Sequence, residues 1–382
     1  MNICVFTTTR ADFGLLKNLI FELEKNKFKV KVIAGGNHYL KKFGNTFTEI
    51  QNAGIKISKN IYSKINSDTS KNISYIISRH ITSAAKIIKD LNPDLIIVLG
   101  DRHEILGVAI AAHISRVPVA HIAGGELTSG VIDDAFRHSI TKMSHIHFVA
   151  NKIYRNRVIQ LGESPKTVFS VGGLGTDSIK HTKLISRKNL QKILKIEFSK
   201  KNIIVCFHPE TLKKNKAEKQ INELLASLIK LEDTTIIFTS PGFDLENKII
   251  IKKIKIFVKK KNRAYYFSSL GQVNYFSILK IVDVIIGNSS SGILEMPTFK
   301  KATINIGERQ FGRLKSTSVI DSKIKKNEIL NSLIKVYSKK FRDKIKNSKN
   351  HYGPSGASKK IVKILRKINL KNILIKKFYD IS

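Results

Sequence analysis

Asp94-Leu95-Ile96-Ile97-Val98-Leu99-Gly100-Asp101-Arg102-His103-Glu104 is the stretch that decides the fold. Its unbroken apolar run, Leu95 to Leu99, reads as a strand covered on both faces, as the central strands of parallel sheets are. The run ends on a glycine and passes directly into charged residues. In open parallel sheets, ligands bind outside the carboxyl ends of strands, so polar residues at this place are candidates for chemistry. Toward the N-terminus lie a helical pattern over 78–91, a strand at 30–34, and a strand at 3–6. A helix starts from about Leu15, with Leu15, Leu16, Leu19, Ile20 and Leu23 on one face. Toward the C-terminus, strands at 118–122, 145–149 and 168–171 repeat the theme. Gly172-Gly173-Leu174-Gly175 then interrupts it and reads as a hinge. A second series follows at 203–207, 235–239, 264–267, 284–286 and 302–306. Strands alternating with amphipathic helices predict an α/β protein of two Rossmann-like domains, residues 1–175 and 176–365, facing a ligand cleft.

The 382 residues suit about two domains with sizeable cores. An apolar content of 42% fits a globular chain, and no apolar run approaches the roughly 18 residues of a membrane helix. Met1-Asn2-Ile3-Cys4-Val5-Phe6 reads as a buried strand and lacks the features of a signal peptide. Cys4 and Cys206 fall in separate strands, which is neither a disulfide framework nor a metal knuckle. The expected setting is a reducing cytoplasm. The net charge of +39 could indicate a polyanion partner. The lysines are spread through the whole chain, however, and no aromatic-basic motif accompanies them. They read as solvated faces rather than a nucleic-acid site, although such a field would draw in a small anionic ligand.

Most of the informative residues follow strand ends. After the first strand, Thr7-Thr8-Thr9-Arg10-Ala11-Asp12-Phe13-Gly14 carries no dinucleotide glycine fingerprint and no phosphate-binding lysine loop. Arg10 can hold a phosphate or a base through its fork of donors, or be a surface ion pair. Asp101 and Arg102 suit proton transfer and anion binding respectively; alternatively Asp101 caps the next helix. Glu126, Asp133 and Asp134 crowd carboxylates into one region, which lets one act as acid and another as base. Asp133 and Asp134 could equally be N-terminal helix charges. His208 ends a strand with the side chain best suited to proton chemistry near neutrality, or serves structurally. Gly287-Asn288-Ser289-Ser290-Ser291-Gly292 opens a helix running to Glu295 and offers hydroxyls and amides to phosphate, or is a plain cap. Arg309 and Arg313 follow the last strand. His145 and His147 lie two apart on a strand without a cysteine or carboxylate at metal-ligand spacing, so no metal site is expected. These residues describe a nucleotide-sugar enzyme of the glycosyltransferase-B type and leave transfer and epimerisation both open.

Seven motifs, in order, resemble the hydrolysing UDP-N-acetylglucosamine 2-epimerases, above all the bacterial sialic-acid-pathway branch. They are Thr-Arg-Ala-Asp-Phe-Gly (9–14), Gly-Asp-Arg-His-Glu (100–104), His-Ile-Ala-Gly-Gly-Glu (121–126), Arg-His-Ser-Ile-Thr-Lys-Met-Ser-His (137–145), Phe-His-Pro-Glu-Thr (207–211), Ile-Gly-Asn-Ser-Ser-Ser-Gly (286–292) and Gly-Glu-Arg-Gln-Phe-Gly-Arg (307–313). Phe378-Tyr379-Asp380 extends the likeness almost to the end. The resemblance implies a glycosyltransferase-B fold whose final helix, about 366–382, packs back onto the first domain. It implies anti elimination of UDP to a 2-acetamidoglycal followed by syn hydration, with no cofactor and no metal, in a homodimer. By position it makes Asp101, Glu126 and Asp133 the acid–base residues and gives His208 an assisting role. Arg10, Arg102, Ser289, Ser290, Glu295 and Arg309 match nucleotide contacts, with the serines on the diphosphate and Glu295 on the ribose. Tyr275 falls where the family has an aromatic near the uracil. Two positions depart from the pattern: Ala123, where some relatives have a carboxylate, and Gly242, where an asparagine is common. The sugar is either UDP-N-acetylglucosamine or a UDP-linked 2,4-diacetamido-trideoxyhexose. A non-hydrolysing epimerase would return UDP-N-acetylmannosamine, and a glycosyltransferase would need an acceptor.

Overall fold

The computed structural model describes residues 1–41, 44–63, 69–128, 131–210, 216–241 and 246–381. The chain forms two compact units. The first comprises Met1–Glu126, Asp133–Lys180 and Tyr352–Ser382; the second comprises Leu127–Ile132 and His181–His351.

The sheet of the first unit contains β1 (Asn2–Thr7), β2 (Lys29–Gly35), β3 (Ile57–Ile61), β4 (Leu95–Leu99), β5 (Val119–Ile122), β6 (Ile146–Val149) and β7 (Val168–Ser170). All are parallel, in the order β3-β2-β1-β4-β5-β6-β7. The chain moves outward from β1 to β3, then returns to lay β4 on the other side of β1. The loops after β1 and β4 therefore diverge and open a crevice at that switch point. Leu16, Leu19, Ile20 and Leu23 of the helix Arg10–Lys25 are fully buried in this unit's core. The helix Ala357–Leu365 adds Ala357, Ile361, Val362 and Leu365 to the same core. Its N-terminus is held by the buried Asp177 carboxylate, which accepts the amides of Gly356, Ala357 (3.1 Å) and Ser358 (2.7 Å).

The second unit repeats the plan with β8 (Lys201–Cys206), β9 (Thr234–Thr239), β10 (Ala264–Phe267), β11 (Val284–Gly287), β12 (Ala302–Ile306) and β13 (Val319–Ser322). The order is β10-β9-β8-β11-β12-β13, again all parallel, with the switch between β8 and β11.

Several sequence expectations need correction. The first helix begins at Arg10, not Leu15, because Thr9 and Asp12 form a capping box. Strands β3 and β13 were not expected: Ile57-Ser58-Lys59-Asn60-Ile61 and Val319-Ile320-Asp321-Ser322 are edge strands with polar outer faces, so they lack the apolar run that marks central strands. Gly172 to Gly175 belong to the first unit, and the division falls at residue 180 rather than 175. Gly172 has φ +99°, and the Gly173 amide donates to the Tyr352 carbonyl at 2.7 Å, so these glycines pin the returning chain. That return starts at Tyr352, and the returning helix is Ala357–Leu365. Among described residues 366–381 no helix forms; Asn372 sits at φ +62°, and Ile368, Leu370 and Ile373 pack as an irregular strap against the first core. No helix among the described residues is long and apolar enough to cross a membrane.

Candidate functional site

The switch point of the first unit is built from charge pairs. The helix His103–Ile114 starts directly after β4, and Glu104 in its first turn is 1% exposed. Arg102 grips that carboxylate with two bonds, Nε to Oε2 at 2.9 Å and a terminal nitrogen to Oε1 at 2.8 Å. Burial would raise the Glu104 pKa, but Arg102 and then His103 outweigh it and hold the group down at about 2. Burial likewise opposes the Arg102 charge, and Glu104, Asp12 and Asp133 override it, raising its hold on the proton. Asp12 reaches back from the first helix to accept from the Thr8 hydroxyl (2.8 Å) and the Thr9 amide (3.1 Å). Its pKa rises through burial despite Arg102 and the two threonines. Arg10 opens the same helix, and its charge is felt by Glu49 of the helix Phe47–Asn52.

Asp101 is engaged as well. Its Oδ2 accepts from Arg137, which is 2% exposed and also donates to the Ala123 carbonyl at 3.0 Å. Arg137 comes from the helix Asp133–Met143, one turn after Asp133. Asp101, Ala123 and Asp133 are thus joined through one guanidinium and its helix. Ala123 itself sits at φ +66°, so at this departure from the family pattern the backbone oxygen, not the side chain, contributes. His121 supports the arrangement: Nε2 lies 2.8 Å from the Gly100 carbonyl and Nδ1 3.1 Å from the Thr141 hydroxyl. Burial above all lowers its pKa to about 3, so Nε2–H donates and Nδ1 accepts. Glu126 is buried just beyond, after Gly125 at φ +74°; a Cβ on Gly125 would come within 2.4 Å of the Tyr154 carbonyl oxygen.

The switch point of the second unit is a network of amides and hydroxyls, with Arg309 and Glu210 at its margin. Asn288, fully buried after β11, accepts the His208 amide at 2.7 Å and donates to the His208 carbonyl at 2.8 Å. Its side chain thereby continues the β8–β11 pairing past the point where the strands part. Its own carbonyl accepts from Arg309 (3.3 Å) and Gln310 (2.8 Å), tying the loop after β12 to the same spot. Glu210 holds that loop from the other side, accepting the Glu308 amide at 3.0 Å and Gln220 Nε2 at 3.2 Å. Burial, reinforced by Arg309, lowers His208 to about 3, so the ring is neutral at physiological pH. Ser289 and Ser290 stand at the tip of β11 before a single helical turn, Ser291–Leu294. The Ser291 hydroxyl donates to Glu295 Oε2 at 2.5 Å and accepts from the Tyr275 hydroxyl at 2.6 Å. Burial raises Glu295 to about 7, with the Ser291 hydroxyl pulling the other way.

The candidate residues therefore fall into two groups. Arg10, Asp101, Arg102, Glu126 and Asp133 lie around the first switch point. Tyr275, His208, Ser289, Ser290, Glu295 and Arg309 lie around the second. Sequence reasoning did not single out Arg137, Glu104, Asn288, Ser291 or Gln310, although all lie inside or beside its motifs. The spacing of Asp133 and Arg137, four apart on a helix, was the available signal for one of them. Gly242 lies outside the described residues, as does Thr211. Among the described residues no group of three or more His, Cys, Asp or Glu side chains could hold a metal ion.

Comparison with known proteins shows the family and the fold. The family profile for UDP-N-acetylglucosamine 2-epimerase matches residues 22–366. The GDP/UDP-N,N'-diacetylbacillosamine 2-epimerase (hydrolyzing) of Campylobacter jejuni is 40% identical over 99% of each chain. The polysialic acid biosynthesis protein P7 of Escherichia coli is 36% identical over 98% of this chain and 96% of that one. The crystal structure of the UDP-GlcNAc 2-epimerase from Neisseria meningitidis bound to UDP-GlcNAc superposes with a TM-score of 0.82. At 19% identity over 96% of this chain and all of that one, it shares the fold.

Proposed function

The chain belongs to the UDP-N-acetylglucosamine 2-epimerase family, and we propose that it is a hydrolysing member that converts UDP-N-acetylglucosamine and water to UDP and N-acetylmannosamine. The observation that carries this reading is the Asp101–Arg137–Ala123 assembly at the first switch point, with Asp133 one helical turn from Arg137. Removing the weakly acidic proton on carbon 2 needs a carboxylate fixed in position, and Arg137 supplies that fixation. In the first stage a carboxylate among Asp101, Glu126 and Asp133 takes the carbon 2 proton while the carbon 1–oxygen bond breaks. UDP leaves with the bonding pair, and a 2-acetamidoglycal remains. In the second stage water adds its hydroxyl to carbon 1 and a proton is delivered to carbon 2 on that same face, opposite to the face from which the first proton left, inverting that centre. Arg309, Ser289 and Ser290 hold the diphosphate as its charge develops, Glu295 takes the ribose, and neutral His208 assists departure. Arg10 and Arg102 add positive charge for the nucleotide.

A second reading uses the same chemistry on UDP-N,N'-diacetylbacillosamine, and the similarity to the Campylobacter jejuni enzyme favours it. Both readings include a homodimer working in the cytoplasm, in keeping with two buried free cysteines. Proton NMR in deuterated water tests them, with each UDP-sugar supplied separately. Free UDP and a 2-epimerised sugar carrying deuterium at carbon 2 are expected, and the faster substrate names the pathway. A UDP-linked epimer, or no reaction despite UDP binding, overturns hydrolytic epimerisation.

A further inference from the structure

Beneath the tip of β11 a line of hydroxyls and one thiol crosses the second unit. The Thr239 hydroxyl, at the end of β9, donates to Cys206 Sγ at 3.1 Å, at the end of β8. Cys206 Sγ lies 3.7 Å from the Tyr275 hydroxyl, which comes from the helix Gly271–Ile281. Tyr275 donates to Ser291 at 2.6 Å, and Ser291 donates to Glu295 Oε2 at 2.5 Å. With the thiol donating to Tyr275, every hydrogen in the line points toward Glu295. Successive donors polarise one another in such a chain, and the last bond fixes the rotation of the carboxyl group. Neither the ring of Tyr275 nor the hydroxyl of Ser291 needs to touch a ligand for this to work.

We propose that Tyr275 and Ser291 are positioning residues: through this relay they orient Glu295 as the acceptor for the ribose hydroxyls of a bound uridine nucleotide. The inference rests on the reading of the second unit as the nucleotide-binding one and adds to it how ribose recognition is set. Tyr275 accordingly acts through its hydroxyl, besides any contact its ring makes with the base. Ser291, although next to two serines assigned to the diphosphate, is committed to the carboxylate.

The test is calorimetric titration of the full chain and of Tyr275→Phe, Ser291→Ala and the double variant. The ligands are UDP and 2′,3′-dideoxyuridine diphosphate, which lacks both ribose hydroxyls. Wild type should prefer UDP. Each single variant should lose about five- to ten-fold in UDP affinity, the worth of one well-made hydrogen bond. The double variant should be no worse than Ser291→Ala, because Tyr275 acts through Ser291. Binding of the dideoxy compound should be unchanged throughout. In turnover, Tyr275→Phe should raise KM while kcat falls less than two-fold. Normal UDP affinity in Tyr275→Phe, or equal weakening for both ligands, would overturn the relay and leave these bonds a purely structural role. If wild type binds no UDP, the nucleotide reading itself fails, and the relay with it.

Discussion

The two switch points share a topology and differ in chemistry. At the first, the loop after β4 gathers ions: Arg102 on Glu104, and Arg137, from the helix after β5, on Asp101. At the second, the loops after β8 and β11 gather amides and hydroxyls: Asn288 on His208, and Ser291 on Glu295, with Tyr275 of the helix after β10 donating to Ser291. The difference shows in two of the acids. Glu104 is held at about 2 by its arginine, whereas Glu295, offered only a hydroxyl, rises to about 7. In the proposed reaction the first sheet's paired ions move a proton, while the second sheet's amides and hydroxyls, with Arg309 among them, receive an anion already carrying its own charge. The same crevice geometry serves either purpose, because topology sets where a ligand goes and side chains set what happens to it.

The largest expected effect tests that division directly. Asp101→Asn keeps the size and the contact with Arg137 but removes the negative charge. Turnover should fall by about 10²- to 10⁴-fold, the range for loss of a positioned acid–base group. UDP affinity, which the proposal assigns to the second unit, should stay within two-fold of wild type by titration. Equal losses in turnover and affinity would erase the distinction between the two sites.

Next in size is the cost of an unpaired ion. Arg102→Ala strands the Glu104 carboxylate, which is 1% exposed, and should destabilise the chain by about 3–5 kcal/mol in urea unfolding followed by circular dichroism. The pH dependence gives the sign. In wild type the folded pKa of Glu104 lies below its unfolded value, so its contribution is present above about 4.5 and is lost as pH falls toward about 2. Without Arg102, burial dominates and lifts the folded pKa, so the penalty should shrink on acidification. Adding Glu104→Gln to Arg102→Ala should recover part of the loss at neutral pH. A constant penalty from pH 7 to 4 would mean that Arg102 stabilises by packing alone.

The fold was largely legible because central parallel strands declare themselves: Leu95–Leu99 and Ile203–Cys206 are apolar without interruption. The edge strands β3 and β13 were not, since half of each faces outward and only pairing with a neighbour makes them strands. Candidate residues were legible where residue type suggests the chemistry and the position follows a strand end, as for Asp101 and His208. They were less so where function comes from a partner. Arg137 matters because Asp101, 36 residues away, meets it, and Asn288 because His208, 80 residues away, does. Ser289, Ser290 and Ser291 are indistinguishable as sequence, and only the fold commits the last of them to Glu295. The tail beyond residue 365 misled for a different reason. Its apolar residues suit a helix face, yet they pack as an irregular strap that turns around Asn372 in the left-handed conformation.

The smallest effect is also the most specific to the second site. Glu295, raised to about 7 by burial, changes charge within the working range of the protein. Its nearest titratable neighbours do not: burial lifts Cys206 to about 11, and it raises Tyr275 well above its usual value. A ribose hydroxyl donates more strongly to a carboxylate than to a carboxylic acid. Affinity for UDP-N-acetylglucosamine should therefore fall as pH drops through 7, by at most about ten-fold per pH unit, or 1.4 kcal/mol. The slow Asp101→Asn variant lets this be measured as binding without turnover, and the sugar diphosphate has no titrating phosphate of its own in that range. Adding Glu295→Gln, which cannot ionise, should lower affinity at pH 8 and flatten the profile. A flat profile with Glu295 intact would mean that the carboxyl group stays in one protonation state, and the contrast with Glu104 would then rest on hydrogen-bond partners rather than on charge.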